Sequence, residues 1–320
     1  MPMSIAATTT TKATTTEATT PSSFSPSLGL DVALSTGLQF ATLPDTSFGI
    51  EVTGVRWDVH DPEVVRLLTL ALRRNLLLVL RGQPCPSEVQ LDAFLRQFGR
   101  LVLETEDGAA HYSGHRNQGG PASQMAIESK QYMDRSADNT GSTLYAPGTD
   151  GISELVWHND QSHRPMRKVV SVFEALDVEP GVTPTEYRDL YTAYETLPTS
   201  LRTLLENRQV IYFDPRLPSP ADMPRLADAT HPVFTPHPNT GRRTIYVNDF
   251  ADRIAGMNRD ESDRVLAELR THIDATAPRL VHQWSTGDLV LWDNIGLQHR
   301  RGAVPGGQRR YMRQHGGLAE

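Results

Sequence analysis

The sequence predicts a mainly β protein of the sandwich or barrel kind with helices packed outside it, an α+β fold. Two observations carry this. Short apolar runs at 154–157, 169–175, 210–213, 244–247, 280–284 and 289–292 are each punctuated by Gly, Pro or polar turn residues, as half-buried or buried strands are. Helical patterns at 185–197, 199–207 and 260–276 fall between groups of these runs rather than after each one, which argues against a regular β-α alternation. A 320-residue chain with 38% hydrophobic and 22% charged residues has the composition of an ordinary globular core.

Residues 1–27 are Thr, Ser, Ala and Pro with few large apolar side chains. Such a tail cannot bury enough surface to offset its ordering entropy, so disorder is expected. It has one Lys and no Arg, and no basic start followed by an apolar run, so neither a transit nor a secretory peptide is expected and the location is read as cytoplasmic. Residues 28–320 show no internal repeat and no clean break, and are read as one domain. At 61–75 an amphipathic helix is predicted, with Asp61 as N-cap, Pro62 in the first turn and Arg73 and Arg74 at the end. The apolar run 76–80 follows as a buried strand. Ser87 and Gln90 then have capping-box spacing, and Gly99 closes that second helix. Residues 105–152 are rich in Gly, Ser, Asp and Asn without sustained period. Long irregular stretches in compact domains are commonly functional, so this one is read as a lid or substrate-facing segment. His111, Tyr112, His115 and Tyr132 within it are candidate substrate contacts.

Whole classes of function are disfavoured. A net charge of −7 is unlike that of a nucleic-acid-binding chain. No run approaches the roughly 18 apolar residues of a membrane span. The single cysteine, Cys85 between two prolines, rules out an intrachain disulfide or multi-cysteine metal site and reads as a bystander.

The chemistry-bearing signal is His158-Asn159-Asp160. On an extended segment, i and i+2 share a face, so His158 and Asp160 can meet one ion. His299 is the best third ligand: it follows a glycine turn, the apolar run 289–292 and a polar ending, which would put it at a strand mouth. Two His and one carboxylate on one face leave open positions on the metal, the pattern of oxygen-using iron(II) enzymes. A zinc hydrolase also uses such donors, but it gives no role to the basic cluster that follows. Arg310 lies eleven residues after His299, far enough for a turn at 302–307 and a returning strand at 308–314, antiparallel to the one before. It then faces the pocket and clamps a carboxylate, or else belongs to a solvated edge strand. His231 and His237 read as structural, while His60, His272, His282 and His315 show no pairing signal.

Segments 157–160 (WHND), 185–198, 240–249, 287–300 (GDLVLWDNIGLQHR) and 308–312 (QRRYM) make the chain resemble the taurine dioxygenase and 2,4-dichlorophenoxyacetate dioxygenase (TauD/TfdA) family, from about residue 48 to 314. The resemblance implies a double-stranded β-helix, or jelly roll, and an Fe(II)- and 2-oxoglutarate-dependent dioxygenase that consumes O2. Such an enzyme oxidises a small organic substrate, most simply by hydroxylation, otherwise by desaturation or rearrangement, and releases succinate and CO2. It implies iron ligands at His158, Asp160 and His299, and co-substrate contacts at Arg310 and at Thr185, read as the start of the 185–197 helix. Family members often assemble as dimers or more, so a homo-oligomer is an expectation.

Two departures stand out. Val182-Thr183-Pro184 replaces the Gly-Gly-Asp turn that often precedes the family threonine, and Gln314 stands where acid-binding members carry a second arginine, with Arg313 one residue earlier. Gln314 and Arg313 are therefore further candidate substrate contacts, and a sulfonate or carboxylate gripped in the family manner is not implied. Retention of Asp160 argues against a halogenase. The alternative from a different class is a jelly roll that binds a metal or small ligand without redox chemistry.

Overall fold

The computed structural model describes residues 36–57, 61–82, 84–98, 154–213, 229–304 and 310–319. The tail at 1–27 and the segment 105–152, with His111, Tyr112, His115 and Tyr132, lie outside the described residues. The first elements are β1 (Gln39–Thr42), β2 (Ile50–Thr53), α1 (Pro62–Asn75), β3 (Leu77–Leu80) and α2 (Glu88–Leu95). Then come β4 (Leu155–His158), β5 (Lys168–Val178), β6 (Thr185–Asp189), α3 (Leu190–Glu195), α4 (Thr199–Leu205), β7 (Gln209–Tyr212) and β8 (Ala229–Pro232). The rest are β9 (Phe234–Pro236), β10 (Arg243–Ile245), β11 (Ala251–Ile254), α5 (Arg259–Thr276), β12 (Arg279–His282), β13 (Leu289–Asp293), β14 (Leu297–Arg301) and β15 (Arg310–Ala319).

Two sheets carry the site. One is ordered β1-β2-β3-β13-β5-β15 and the other β12-β6-β14-β4, while β11-β7-β8 and β10-β9 form two smaller sheets. Every neighbouring pair is antiparallel except β2 with β3. Between the two large sheets lies an aromatic-rich cluster that includes Leu77, Val79, Ala175, Tyr187, Leu280, Trp284, Val290, Trp292 and Leu297. Across the outer face of the six-stranded sheet, Leu78, Leu80, Val172, Leu289 and Leu291 join Leu68 and Leu72 of α1 and Leu91 and Phe94 of α2 in a second cluster. Both faces of β3 and β13 are thus covered, which is why their sequences are continuous apolar runs. Helix α1 begins as its sequence predicts: Asp61 accepts from the Glu63 N–H at 2.8 Å, with Pro62 in the first turn. It ends at Leu76, held in the left-handed region at φ 65° without the glycine usual there, its side chain buried.

Three expectations are corrected. Residues 185–189 form strand β6, and the helix is only Leu190–Glu195. The apolar periodicity of Leu190, Tyr191, Tyr194 and Leu197 extends a helical reading backwards, but Asp189 stops it by accepting from the Tyr191 N–H at 2.8 Å as N-cap. Ahead of that cap, both edges of β6 pair, with β12 and with β14. Secondly, β15 is not antiparallel to the strand before it. Strand β14 already has neighbours on both sides, so the chain crosses to the open edge of β5 in the other sheet. Thirdly, His299 is not at the mouth of the apolar strand. It lies in the middle of β14, while the apolar run is β13 in the opposite sheet. The crossing is made at 293–296, where Asp293 Oδ1 accepts the N–H groups of Ile295 and Gly296, each at 2.9 Å. A Cβ on Gly296 would come within 1.9 Å of the Tyr191 ring, so only glycine fits that turn.

Candidate metal centre

Three side chains separated by up to 141 residues meet because of strand register. His299 on β14 is the cross-strand partner of His158 on β4, and directly opposed residues of an antiparallel pair share a face. Their ring centroids are 4.0 Å apart. After His158 the chain leaves the strand in a turn that includes Asp160 and, one residue on, Gln161 at φ 57°. Asp160 Oδ1 lies 3.7 Å from His158 Nε2 and 3.6 Å from His299 Nε2. One donor atom from each of the three falls within 4.8 Å of the others, and all three residues are buried.

Neighbouring side chains hold this turn. Asn294 reads both faces of the Asp160 peptide, its Oδ1 accepting from Asp160 N–H at 2.9 Å and its Nδ2 donating to Asp160 O at 3.1 Å and Lys168 O at 2.9 Å. Asn159 Nδ2 donates to Asn294 O and Leu297 O at 2.8 and 3.1 Å. The Ser171 hydroxyl donates to Asp160 Oδ2 at 2.6 Å, leaving Oδ1 towards the rings. His158 Nδ1 lies 2.8 Å from the Val156 carbonyl, which can only accept, so Nδ1 carries the proton and Nε2 presents its lone pair.

The protonation state suits a cation. Burial disfavours charge on Asp160, but His299, Lys168, His158 and the Ser171 hydrogen bond outweigh it and hold the carboxyl at about 2. Burial, with the neighbouring His158, pulls His299 down to about 3 against the attraction of Asp160, and burial likewise lowers His158. At neutral pH the trio is one carboxylate and two neutral imidazoles. Neither ring nitrogen of His299 has a hydrogen-bond partner of good geometry among the described residues, although the residue is only 2% exposed. An orphaned buried imidazole is costly unless something else binds it.

Beyond the triad lies a buried cation. Arg310 donates from Nε to Thr183 O and from an Nη to Thr185 Oγ1, both at 3.3 Å. Trp284 Nε1 donates to the same threonine oxygen at 2.9 Å. No carboxylate among the described residues pairs with Arg310. Burial and the nearby Arg301 push its guanidinium down to about 9. Thr185 and Arg310, expected together, are together. Arg313 is not with them: its guanidinium pairs with the buried Glu174 carboxylate and donates to Pro86 O at 3.1 Å. On β5, Ser171 faces Asp160 and Phe173 faces His299, and Glu174 turns to the opposite face. For Gln314 the described position is that of the backbone, opposite Phe173.

Several residues beside the trio carry no signal in the sequence. Tyr187 stacks on His299 at 6.0 Å, and Trp292 meets the same ring edge-on at 4.9 Å. Asn294 and Ser171 have no sequence signal beyond lying near ligand motifs. His282, read as unpaired, lies 3.2 Å from Asp288 Oδ2. His231 is structural as expected, its Nε2 being 3.0 Å from Ser162 O.

Two neutral imidazoles and one carboxylate on a β scaffold are compatible with a mononuclear non-haem iron centre, and the arginine beyond them has no carboxylate partner among the described residues. Residues 39–315 match the family described as "Taurine catabolism dioxygenase TauD, TfdA family". The chain is 29% identical to pentalenolactone F synthase of Streptomyces arenae, over 87% of this chain and 93% of that one. It is 30% identical to the (S)-phenoxypropionate/alpha-ketoglutarate dioxygenase of Sphingobium herbicidovorans, over 84% and 91%. Among solved structures, AAD-2 in complex with Mn(II) and N-oxalylglycine shares the fold, with a TM-score of 0.64 and 22% identity over 88% of this chain and 96% of that one. The chain belongs to the TauD/TfdA family. It is accordingly a 2-oxoglutarate-dependent dioxygenase whose metal is Fe(II) and whose oxidant is O2, which sets aside the non-redox alternative.

Proposed function

We propose that His158, Asp160 and His299 hold the iron, that Arg310 and Thr185 hold the distal carboxylate of 2-oxoglutarate, and that the enzyme oxidises a small organic substrate, most simply by hydroxylation. The observation that carries this reading is the convergence of three buried donor atoms within 4.8 Å, with His299 otherwise unpartnered. Bound iron and co-substrate supply O2 activation coupled to decarboxylation, giving succinate and CO2. The chain supplies placement. Asn294 and Ser171 fix Asp160, Val156 fixes the His158 tautomer, and strand register fixes His299. Arg310 offers its planar fork to a carboxylate that has no competitor nearby. Trp292, Tyr187 and Phe173 surround His299 and keep water from it.

The substrate falls in the small-organic class to which the relatives' names point, a phenoxypropionate for one of them. Gln314 replaces the arginine with which acid-binding members grip an anion, and Arg313 is engaged by Glu174. The substrate is therefore held without a cation at that place. The segment 105–152, with His111, Tyr112, His115 and Tyr132, supplies further contacts in this reading. The two facing sheets support a double-stranded β-helix in one domain spanning 28–320. No described helix is long and apolar enough to cross a membrane, and we place the enzyme in the cytoplasm. Screening small molecules for substrate-stimulated succinate release, followed by mass analysis of the product, tests the proposal. Undiminished release by the His299→Ala enzyme would refute the triad.

A further inference from the structure

Strand register sets a line of three side chains across the four-stranded sheet. His299 is opposed by His158 on one side and by Tyr187 of β6 on the other. Two residues before Tyr187 on the same face of β6 is Thr185, which receives Arg310. Tyr187 thus shares one line with the metal ligands and one strand face with the arginine's partner, so its side chain flanks the space between them.

Its hydroxyl is unusual there. Tyr187 is 0% exposed, and the hydroxyl has no hydrogen-bond partner among the described residues. Its ring is well packed, stacked on His299 and edge-on to Trp292 at 5.5 Å. Phenylalanine would satisfy that packing equally, and a buried hydroxyl left unpaired is destabilising. The two other polar groups that flank the same space, Arg310 and Thr185, are donors suited to a carboxylate.

We infer that the Tyr187 hydroxyl is a positioning group for 2-oxoglutarate, donating a hydrogen bond to the dicarboxylate as it spans from the metal ligands to Arg310. This rests on the reading of Arg310 as the co-substrate anchor.

The test is calorimetric titration of 2-oxoglutarate, without oxygen, into the Mn(II)-loaded wild type, Tyr187→Phe and Arg310→Ala proteins. Thermal unfolding and Mn(II) affinity of the same variants are measured alongside. The expected result is a dissociation constant raised by about tenfold or more in Tyr187→Phe, the effect of losing a hydrogen bond to a charged group. Its unfolding temperature is unchanged or higher, and its Mn(II) affinity is unchanged. An unaltered 2-oxoglutarate affinity in Tyr187→Phe, with Arg310→Ala weakened, would overturn the role of Tyr187 alone. Unaltered affinity in both variants would overturn the anchor reading as well.

Discussion

Arg310 and Arg313 lie three residues apart on one strand, are 7% and 4% exposed, and serve opposite ends. Arg313 turns to the helix-covered face of the six-stranded sheet and meets a buried carboxylate, Glu174. Arg310 turns to the space between the sheets and, among the described residues, donates only to a carbonyl and a hydroxyl. A buried arginine with its counter-ion built in is part of the fold. One without a counter-ion among the described residues, and whose pKa burial has lowered to about 9, is what the proposed function makes the receptor for an arriving anion. Burial and residue type are the same in both; the partner distinguishes them.

The largest expected effect removes the reason for the receptor altogether. His299→Ala leaves two donors where three are needed, and succinate formation should fall more than about 100-fold, since even outer partners of metal ligands cost 10–100-fold. Next come the two arginines, which should fail differently. Arg310→Ala should weaken 2-oxoglutarate binding about 10- to 100-fold, the loss of a charge-assisted pair, with little change in urea midpoint. Arg313→Ala strands Glu174 and should lower stability by about 3–5 kcal/mol, while the folded protein binds 2-oxoglutarate as before. Replacing Arg313 and Glu174 together by apolar residues should recover most of that stability. If Arg313→Ala instead lost co-substrate affinity at unchanged stability, the contrast would collapse.

Smaller effects sharpen it. Ser171→Ala removes the hydrogen bond that orients Asp160 and should weaken Mn(II) binding about tenfold by equilibrium titration. The smallest effect is on pH dependence. Burial keeps His299 at about 3 and lowers His158, so neither needs to shed a proton to bind metal at neutral pH. Mn(II) affinity should change by less than about threefold between pH 7 and 6, where solvent-exposed histidines of pKa about 6.5 would already be titrating. The folded state refuses protons that the unfolded chain accepts. The metal-free protein should therefore lose stability as pH falls from about 6.5 towards the folded value of about 3.

How much of this was legible in the sequence follows from what each signal depends on. That His158, Asp160 and His299 converge is legible because their spacing and flanking segments are local patterns; a strand carrying Arg310 is legible from the turn after His299, but not its pairing with β5. The sheets were not readable in detail. Residues 185–189 alternate like a strand, but the stronger helical period just after them masked it, and the pairing with β12 and β14 that decides the matter joins segments roughly a hundred residues apart. Arg313 lies three positions after Arg310, so strand alternation alone turns it to the opposite face; what no local pattern shows is that Glu174 stands there, a pairing set by the register of β15 against β5. Tyr187 escaped notice for a like reason: only the register that sets it opposite His299 makes it part of the pocket.

The role of Arg310 is tested most directly by an anaerobic titration of Fe(II) and 2-oxoglutarate into the wild type, Arg310→Ala and Arg313→Ala proteins, followed by the weak visible charge-transfer absorption of an iron-bound 2-oxo acid. The wild type and the folded Arg313→Ala protein should develop the band at the same co-substrate concentration, and Arg310→Ala only at a concentration about 10- to 100-fold higher. No band in the wild type, or equal midpoints for Arg310→Ala and the wild type, would contradict it.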